Sequence, residues 1–195
     1  MQPDFSQLVQ QAAQRCWETQ SFDQAVEILR PALAARSVEA YRYLVDFLIG
    51  LGRMEEAKGY AEILLREART NLDLVIVCQM CRNRTFSMLA FDESSIYQKT
   101  LFTLADQGNP VIQTEIALNY LRGESGFQRD AKKFEHWIQA AIQASEEIDP
   151  VCHFVEYLLD TGQPIEIRLL ERLKIAIEAE PELSEVQSLY KRAQR

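Results

Sequence analysis

The residues that decide the fold of this chain are ADQGNP at 105–110, YLRG at 120–123 and GFQRD at 126–130, followed by Trp137 and the pair Ala140–Ala141. The Asn-Pro step of the first segment is typical of a helix start, with Asn as the N-cap and Pro as the first helical residue. The Gly that closes the second segment is typical of a helix end. The pattern predicts one helix ending, a tight turn, a second helix, a Gly-containing loop and a third helix.

Helical spacing extends from this segment to both ends of the chain, because apolar residues recur three and four positions apart almost throughout. Near the N-terminus, Ser21 with Gln24 three residues later predicts a capping box. Pro31 lies inside the helix that follows and predicts a bend or an early end. The sequence therefore predicts an all-α protein.

Proline marks further helix boundaries. Asn109-Pro110 and Asp149-Pro150 are the same start signal 40 residues apart, which is within the range of helical-repeat periods. Pro164 and Pro181 are predicted to open two more helices, and residues 82–92 to form a longer, less regular connection.

The central segment resembles a Sel-one-like repeat, a variant of the tetratricopeptide family. The residues that carry this resemblance are Ala117, Tyr120, Gly123, Gly126, Phe127, Asp130, Trp137 and Ala141. Two departures from the family pattern are a loop one residue longer than usual at 123–126 and Phe134 in place of Ala. The N-terminal hairpins are more similar to plain tetratricopeptide repeats, through Ala13, Phe22, Ala25, Ala32, Gly52, Ala57 and Leu64.

The resemblance implies a right-handed superhelix, an α-solenoid of about five antiparallel helix pairs with a C-terminal capping helix. The expected organisation is a single helical-repeat domain over 1–195. It would contain tetratricopeptide-like hairpins at 1–70, Sel-one-like hairpins at 71–180 and the capping helix at 181–195.

In such an array the first helix of each hairpin lines a concave groove, which is where we expect a partner to bind. The expected groove residues are Gln7, Gln10, Gln14, Trp17, Glu39, Arg42, Asp46, Ile49, Thr114, Leu118 and Leu121. The Lys and Asn that bind a C-terminal carboxylate in some family members are replaced here by glutamines, Arg42 and Asp46. A glutamine-lined wall suits an extended peptide or a partner helix, and the alternative is that these glutamines only solvate an exposed helix.

Charge narrows the class of partner. The 195 residues carry 21 Lys and Arg against 29 Asp and Glu, a net charge of -8. This acidity disfavours nucleic-acid binding, which requires a basic surface. A basic or neutral protein partner fits better, although an acidic surface can serve solubility alone.

Catalytic and metal-binding patterns are weak. Cys78 and Cys81 form a CxxC pair late in an apolar helix, where packing is the favoured role and a zinc or redox role the alternative. Neither His136 nor His153 has a nucleophile at a recognisable spacing. We therefore expect a protein that is not an enzyme and has no cofactor or metal.

The function expected from these features is a protein–protein interaction scaffold or adaptor that binds a partner peptide or helix. The alternative is a chaperone or toxin-neutralising (immunity-type) protein that masks a basic effector, with a cysteine-based metal or redox regulator as a third class. The first residues contain no basic region followed by an apolar run, and no apolar segment approaches the ~20 residues of a membrane span. We expect a cytoplasmic protein without membrane insertion.

Overall fold

A computed structural model describes residues 5–19 and 21–194, apart from the side chain of Trp17. These residues form helices and no strand, so the all-α prediction is confirmed. The helices are α1 (Ser6–Thr19), α2 (Phe22–Ala34), α3 (Val38–Gly50), α4 (Met54–Glu67), α5 (Asn71–Arg82), α6 (Thr85–Met88), α7 (Glu93–Ala105), α8 (Pro110–Arg122), α9 (Ala131–Ala144), α10 (Asp149–Thr161), α11 (Ile167–Ala179) and α12 (Ser184–Ala193).

The chain separates into two compact units, Met1–Thr100 and Leu101–Arg195, and the division falls within α7. We call them the N-terminal and C-terminal units. The single domain over 1–195 and its subdivision at 70 and 180 stay predictions.

The N-terminal unit is built from helices that pack with their neighbours along the chain. Helix α1 packs on α2 and α3 packs on α4, while α3 also contacts α1, α2 and α5. One of its buried clusters consists of small and branched side chains: Val9, Ala12, Cys16, Ala25, Leu29, Ala32, Ala40 and Leu44. The alanines in this cluster have no exposed surface, which lets the helices approach closely.

The C-terminal unit contains the segment that the sequence singled out. Helices α8 and α9 pack on each other, and α10 contacts α9, α11 and α12. The core shared by these helices consists of Ala117, Phe134, Ile138, Val151, Phe154, Val155, Tyr157, Leu158, Leu169, Leu173, Val186 and Leu189. The helix–loop–helix predicted from this stretch of sequence is therefore confirmed as α8 and α9.

Local signals set the boundaries of this hairpin, and Asn109 and Gly123 act at the helix start and end that the sequence predicts. The Asn109 side chain accepts a hydrogen bond from the backbone N–H of Ile112, and Asp130 caps α9 by accepting from Lys133 N–H. Gly123 ends α8 in the left-handed conformation with φ of 72°, and a Cβ atom there would lie 3.1 Å from Arg129 Cγ. Glycine is the residue that adopts this conformation without strain.

Several other boundary predictions are wrong. Ser21 is the N-cap of α2, but its side chain makes no capping hydrogen bond. Asp149 is already helical, and Ile148 takes the N-cap position of α10. The capping box that does form joins Thr70 and Asp73 at the start of α5.

Pro164 and Pro181 do not open helices, since α11 begins at Ile167 and α12 at Ser184. Each proline instead follows the end of the preceding helix, where its missing N–H cannot continue the helical hydrogen bonds. Pro31 does not end α2 early, because the helix runs on to Ala34. Residues 82–92, predicted to be irregular, contain the short helix α6.

None of the helices within 5–19 and 21–194 has both the length and the apolar character that a bilayer span requires.

Arg172 on α11 joins the end of α9 to the loop that follows. Its guanidinium donates to the carbonyl oxygens of Ile142 at 2.9 Å, Ser145 at 3.0 Å and Glu147 at 2.9 Å. The first of these carbonyls belongs to the last turn of α9, whose carbonyl groups have no intrahelical partner. One side chain therefore satisfies three backbone acceptors.

Replacing Arg172 with Met should destabilise the C-terminal unit by about 2 kcal/mol, because these carbonyls lose charge-assisted hydrogen bonds. The free energy of unfolding is measured by urea denaturation with Trp137 fluorescence in a Trp17→Phe background. Arg168→Met is the control, since Arg168 is exposed and forms an exposed ion pair with Glu166, and a change below about 0.5 kcal/mol is expected. Equal losses in both variants would show that the three carbonyl contacts contribute nothing specific.

Candidate functional site

The N-terminal unit carries a groove of about 610 Å³ between the start of α1, the α2–α3 turn and one face of α5. We call it the α3–α5 groove. Its lining is mixed apolar and polar: Phe5, Ser6, Ala35, Ser37, Val38, Glu39, Arg42, Leu72, Asp73, Ile76 and Gln79.

The α2–α3 turn positions one wall of the groove. Arg36 adopts the left-handed conformation with φ of 58°, and the N–H of Ser37 bonds back to the carbonyl of Ala32. The Ser37 side chain then accepts from Ala40 N–H and starts α3. This tight turn sets Val38 and Glu39 at the groove edge, held by backbone hydrogen bonds.

The capping box of α5 positions the opposite wall. The Asp73 carboxylate accepts from the backbone N–H groups of Arg69 at 3.1 Å and Thr70 at 2.9 Å, and it is buried. Next to it Leu72 is 71% exposed, and Ile76 and Gln79 follow on the same helix face, four and seven residues later. The start of the helix is therefore anchored by Asp73 while Leu72 remains open to solvent.

The charges in the groove are largely balanced. Arg42 Nη1 lies 3.3 Å from Asp46 Oδ2 one turn along α3. Desolvation raises the pKa of Asp46, and the Arg42 guanidinium offsets part of that rise. Because Arg42 already has a carboxylate partner, Glu39 is the lining side chain with an uncompensated surface charge. This wall suits an apolar partner surface better than a C-terminal carboxylate.

The structure brings together two of the predicted groove residues, Glu39 and Arg42. Gln7, Gln10 and Gln14 are exposed on α1, and Gln14 lines a separate shallow pocket where it donates to Glu18 at 3.1 Å. Ile49 is half-buried on α3. The side chain of Trp17 lies outside the described residues.

The remaining predicted groove residues lie on α8 in the C-terminal unit. Thr114, Leu118 and Leu121 are half-buried there, and the Thr114 hydroxyl donates to the carbonyl of Pro110 at 2.8 Å. The choice of all these residues as a partner-binding surface stays a prediction.

Helix α5 contributes four residues to the lining of the α3–α5 groove, and the sequence did not predict this. The predicted groove list contains no residue of this helix. The available signal was the spacing of Leu72, Ile76 and Gln79, which falls on a different face from the buried Val77 and Met80. Periodicity shows that such a face exists, but only the packing of α5 on α3 leaves it open.

The cysteines are positioned for packing. Cys78 and Cys81 are both buried in α5, and burial raises the pKa of the Cys81 thiol to about 12. A thiol with this pKa is protonated near neutral pH, whereas the reactive form of cysteine is the thiolate. Among the described residues no group of three or more His, Cys, Asp or Glu side chains is placed to hold a metal ion.

Phe86, within the basic segment 82–86, is a core residue. Its side chain has no exposed surface, and its ring packs edge-on against Phe91 at 5.8 Å.

Comparison with protein-family models, with curated proteins and with solved structures finds no match to this chain. The resemblance to Sel-one-like and tetratricopeptide repeats therefore stays a prediction based on the residues themselves.

Cys152 on α10 offers a chemical test of the electrostatics in the C-terminal unit. Burial, followed by Asp149, Glu156 and Glu185, raises the pKa of this thiol from 9.0 to about 11. At pH 8 its thiolate fraction is then ~100-fold lower than that of an unperturbed thiol. The higher nucleophilicity of a more basic thiolate reduces this to a deficit of about tenfold in alkylation rate.

We expect Glu156→Gln with Glu185→Gln to lower the pKa of Cys152 and to speed its alkylation by iodoacetamide at pH 8. The rate is followed by mass spectrometry of the folded protein, and Glu171→Gln with Glu178→Gln serves as a control that removes the same charge elsewhere. Unchanged rates in the first variant would contradict the assigned influence of the two carboxylates.

Proposed function

We propose that this protein is a non-catalytic interaction scaffold that binds an apolar helix or peptide of a partner protein in the α3–α5 groove. The observation that carries the proposal is Leu72, a leucine 71% exposed in the lining of a groove that also contains the half-buried side chains of Phe5 and Ile76. An exposed apolar side chain is typical of partner recognition when it adjoins other apolar side chains in a concave surface, as Leu72 does here.

The groove matches the requirements of helix-in-groove recognition. An amphipathic partner helix inserts side chains at positions three and four apart into an apolar channel. Leu72, Ile76 and Phe5 supply apolar contact, while Glu39 and Gln79 supply polar contacts at the edge. Binding through apolar contacts with a polar rim is the usual anatomy of such interfaces.

The proposed repeat type and superhelical arrangement are supported by the residues that resemble helical repeats. The hairpins are proposed to be tetratricopeptide-like and Sel-one-like repeats that continue into a right-handed superhelix, in a cytoplasmic protein. Support for a role without catalysis comes from Cys81 and Cys152, whose raised pKa values disfavour thiolate chemistry.

A second candidate function is the masking of a basic effector by a chaperone or an immunity-type protein. The observation that favours it is the distribution of charge. Residues 146–185 contain eleven carboxylates and three Lys or Arg side chains. The net charge of this segment is therefore -8, the same as the net charge of the whole chain.

Leu72→Glu tests the groove directly. Because Leu72 is exposed in the first turn of α5, where a negative charge interacts favourably with the helix dipole, the variant should keep its stability within about 0.5 kcal/mol. We expect it to lose the partner that wild-type protein captures from its native lysate, with affinity reduced at least about tenfold by loss of an apolar anchor. Affinity is measured with the purified partner by titration calorimetry.

Ile167→Glu is the matched control, because Ile167 is 74% exposed near the start of α11 in the C-terminal unit. This variant should bind the partner as wild type does. Retention of the partner by Leu72→Glu would exclude the α3–α5 groove, whereas loss in both variants would show a general effect of added charge.

A further inference from the structure

A second depression lies on the C-terminal unit, between α10 and the first turns of α12. It has a volume of about 470 Å³, and we call it the α10–α12 cleft. Its floor is apolar and consists of Ile148, Cys152, Leu183, Val186 and Leu189. Val186 and Leu189 belong to the core, while the other three are half-buried and reach the surface.

The turn between α11 and α12 builds one side of the cleft. The N–H of Leu183 bonds to the carbonyl of Glu180, and the Gln187 side chain donates to the carbonyl of Pro181 at 2.7 Å. These bonds hold the turn against α12, so that Glu182 and Glu185 line the cleft opposite residues of α10.

Four carboxylates surround the apolar floor: Asp149, Glu156, Glu182 and Glu185. None of them forms an ion pair with another described residue. On α11, Lys174 pairs with Glu178, and Arg168 pairs with Glu166 just before the helix begins. Among the side chains that line the cleft, His153 is the one that can carry a positive charge.

The charge and the floor together select the class of ligand. A ligand with charge alone would leave the apolar floor uncovered. A ligand with apolar groups alone would bring unpaired carboxylates into a low-dielectric interface, which is unfavourable. A segment that carries both an apolar stripe and flanking cations satisfies both constraints.

We infer that the α10–α12 cleft is a docking site for a cationic amphipathic helix of another protein. The apolar stripe of that helix packs on Ile148, Cys152 and Leu183, and Lys or Arg side chains beside the stripe pair with Glu182 and Glu185 on one side of the cleft. Residues three and four apart on a helix lie on one face. A single helix can therefore present an apolar stripe together with Lys or Arg side chains along its edge. Electrostatic complementarity also accelerates association with a basic partner.

This inference does not depend on the α3–α5 groove, because it concerns a different surface and a different class of partner. It gives the second candidate function, the masking of a basic effector, a specific place on the molecule.

The test uses the full chain and a fluorescein-labelled Leu/Lys peptide about four helical turns long, with Leu on one face and Lys on the other. Binding is measured by fluorescence anisotropy at about 0.15 M salt, where the screening length is ~8 Å. A Ser/Lys peptide of equal charge and a Leu/Glu peptide of equal apolarity are the matched controls. We expect the Leu/Lys peptide to bind clearly more tightly than both controls.

Two pairs of substitutions locate the site. Glu182→Gln with Glu185→Gln should weaken binding of the Leu/Lys peptide by about tenfold, as expected for the loss of two rim ion pairs. Glu171→Gln with Glu178→Gln removes the same charge from the exposed face of α11 and should change affinity by less than about twofold. Circular dichroism verifies that both variants keep their helicity.

Cys152 gives an independent readout, because it lies in the floor of the cleft. Saturating Leu/Lys peptide should slow its alkylation by iodoacetamide at least about fivefold, since a bound helix covers the thiol. Leu72→Glu changes the α3–α5 groove and should bind this peptide as wild type does. A failure of the groove proposal can therefore be distinguished from a failure of the cleft proposal.

Three results would overturn the inference. Equal weakening by both pairs of Glu→Gln substitutions would mean that net charge alone attracts the peptide. Equal affinity for the Ser/Lys and Leu/Lys peptides would show that the apolar floor is not used. Unchanged alkylation of Cys152 in the presence of bound peptide would place the peptide elsewhere.

Discussion

Alanine side chains without exposed surface lie at the helix contacts of both units, and the spacing of the helices depends on them. They are Ala12, Ala25, Ala32, Ala40, Ala57 and Ala61 in the N-terminal unit and Ala117 and Ala141 in the C-terminal unit. Helix axes approach as closely as the side chains between them allow. A single hairpin cannot bury its own apolar face, so each hairpin also needs a neighbouring helix to cover it. The α3–α5 groove and the α10–α12 cleft are places where apolar side chains stay open beside such packed helices.

The two surfaces differ in the way that their charges are compensated. In the α3–α5 groove, Arg42 pairs with Asp46, and the Asp73 carboxylate accepts hydrogen bonds from backbone N–H groups. In the α10–α12 cleft, Glu182 and Glu185 line an apolar floor and have no ion-pair partner among the described residues. The apolar face of an amphipathic helix therefore suits the groove, whereas a helix that also carries cations beside its apolar face suits the cleft. The proposed scaffold would use these two surfaces to join two different partner segments.

Local sequence signals predicted the helices well where one short segment carried the whole signal. Asn109 with Pro110, Gly123 and Asp130 each act on backbone groups within four residues, and the α8–α9 hairpin follows from them. The predictions failed where a residue type has two local roles. Pro164 and Pro181 fit a helix start as well as a position after a helix end, and the hydrogen bonds of the preceding helix decided between the two. After Gly162 turns left-handed, the N–H of Gln163 bonds back to Leu158, which leaves Pro164 outside any helix.

The sequence by itself determined that the chain is helical, where most of its helices lie and that its excess negative charge is concentrated near the C-terminal end. These properties depend on the order of residues over a few helical turns. Only the tertiary structure decided which apolar faces stay open and which charges surround them. Leu72 and Glu39 line one groove, and Glu185 shares a cleft with Asp149, although each pair is more than thirty residues apart. Periodicity marks a face as apolar, but the packing of distant helices determines whether that face becomes core or remains a surface for a partner.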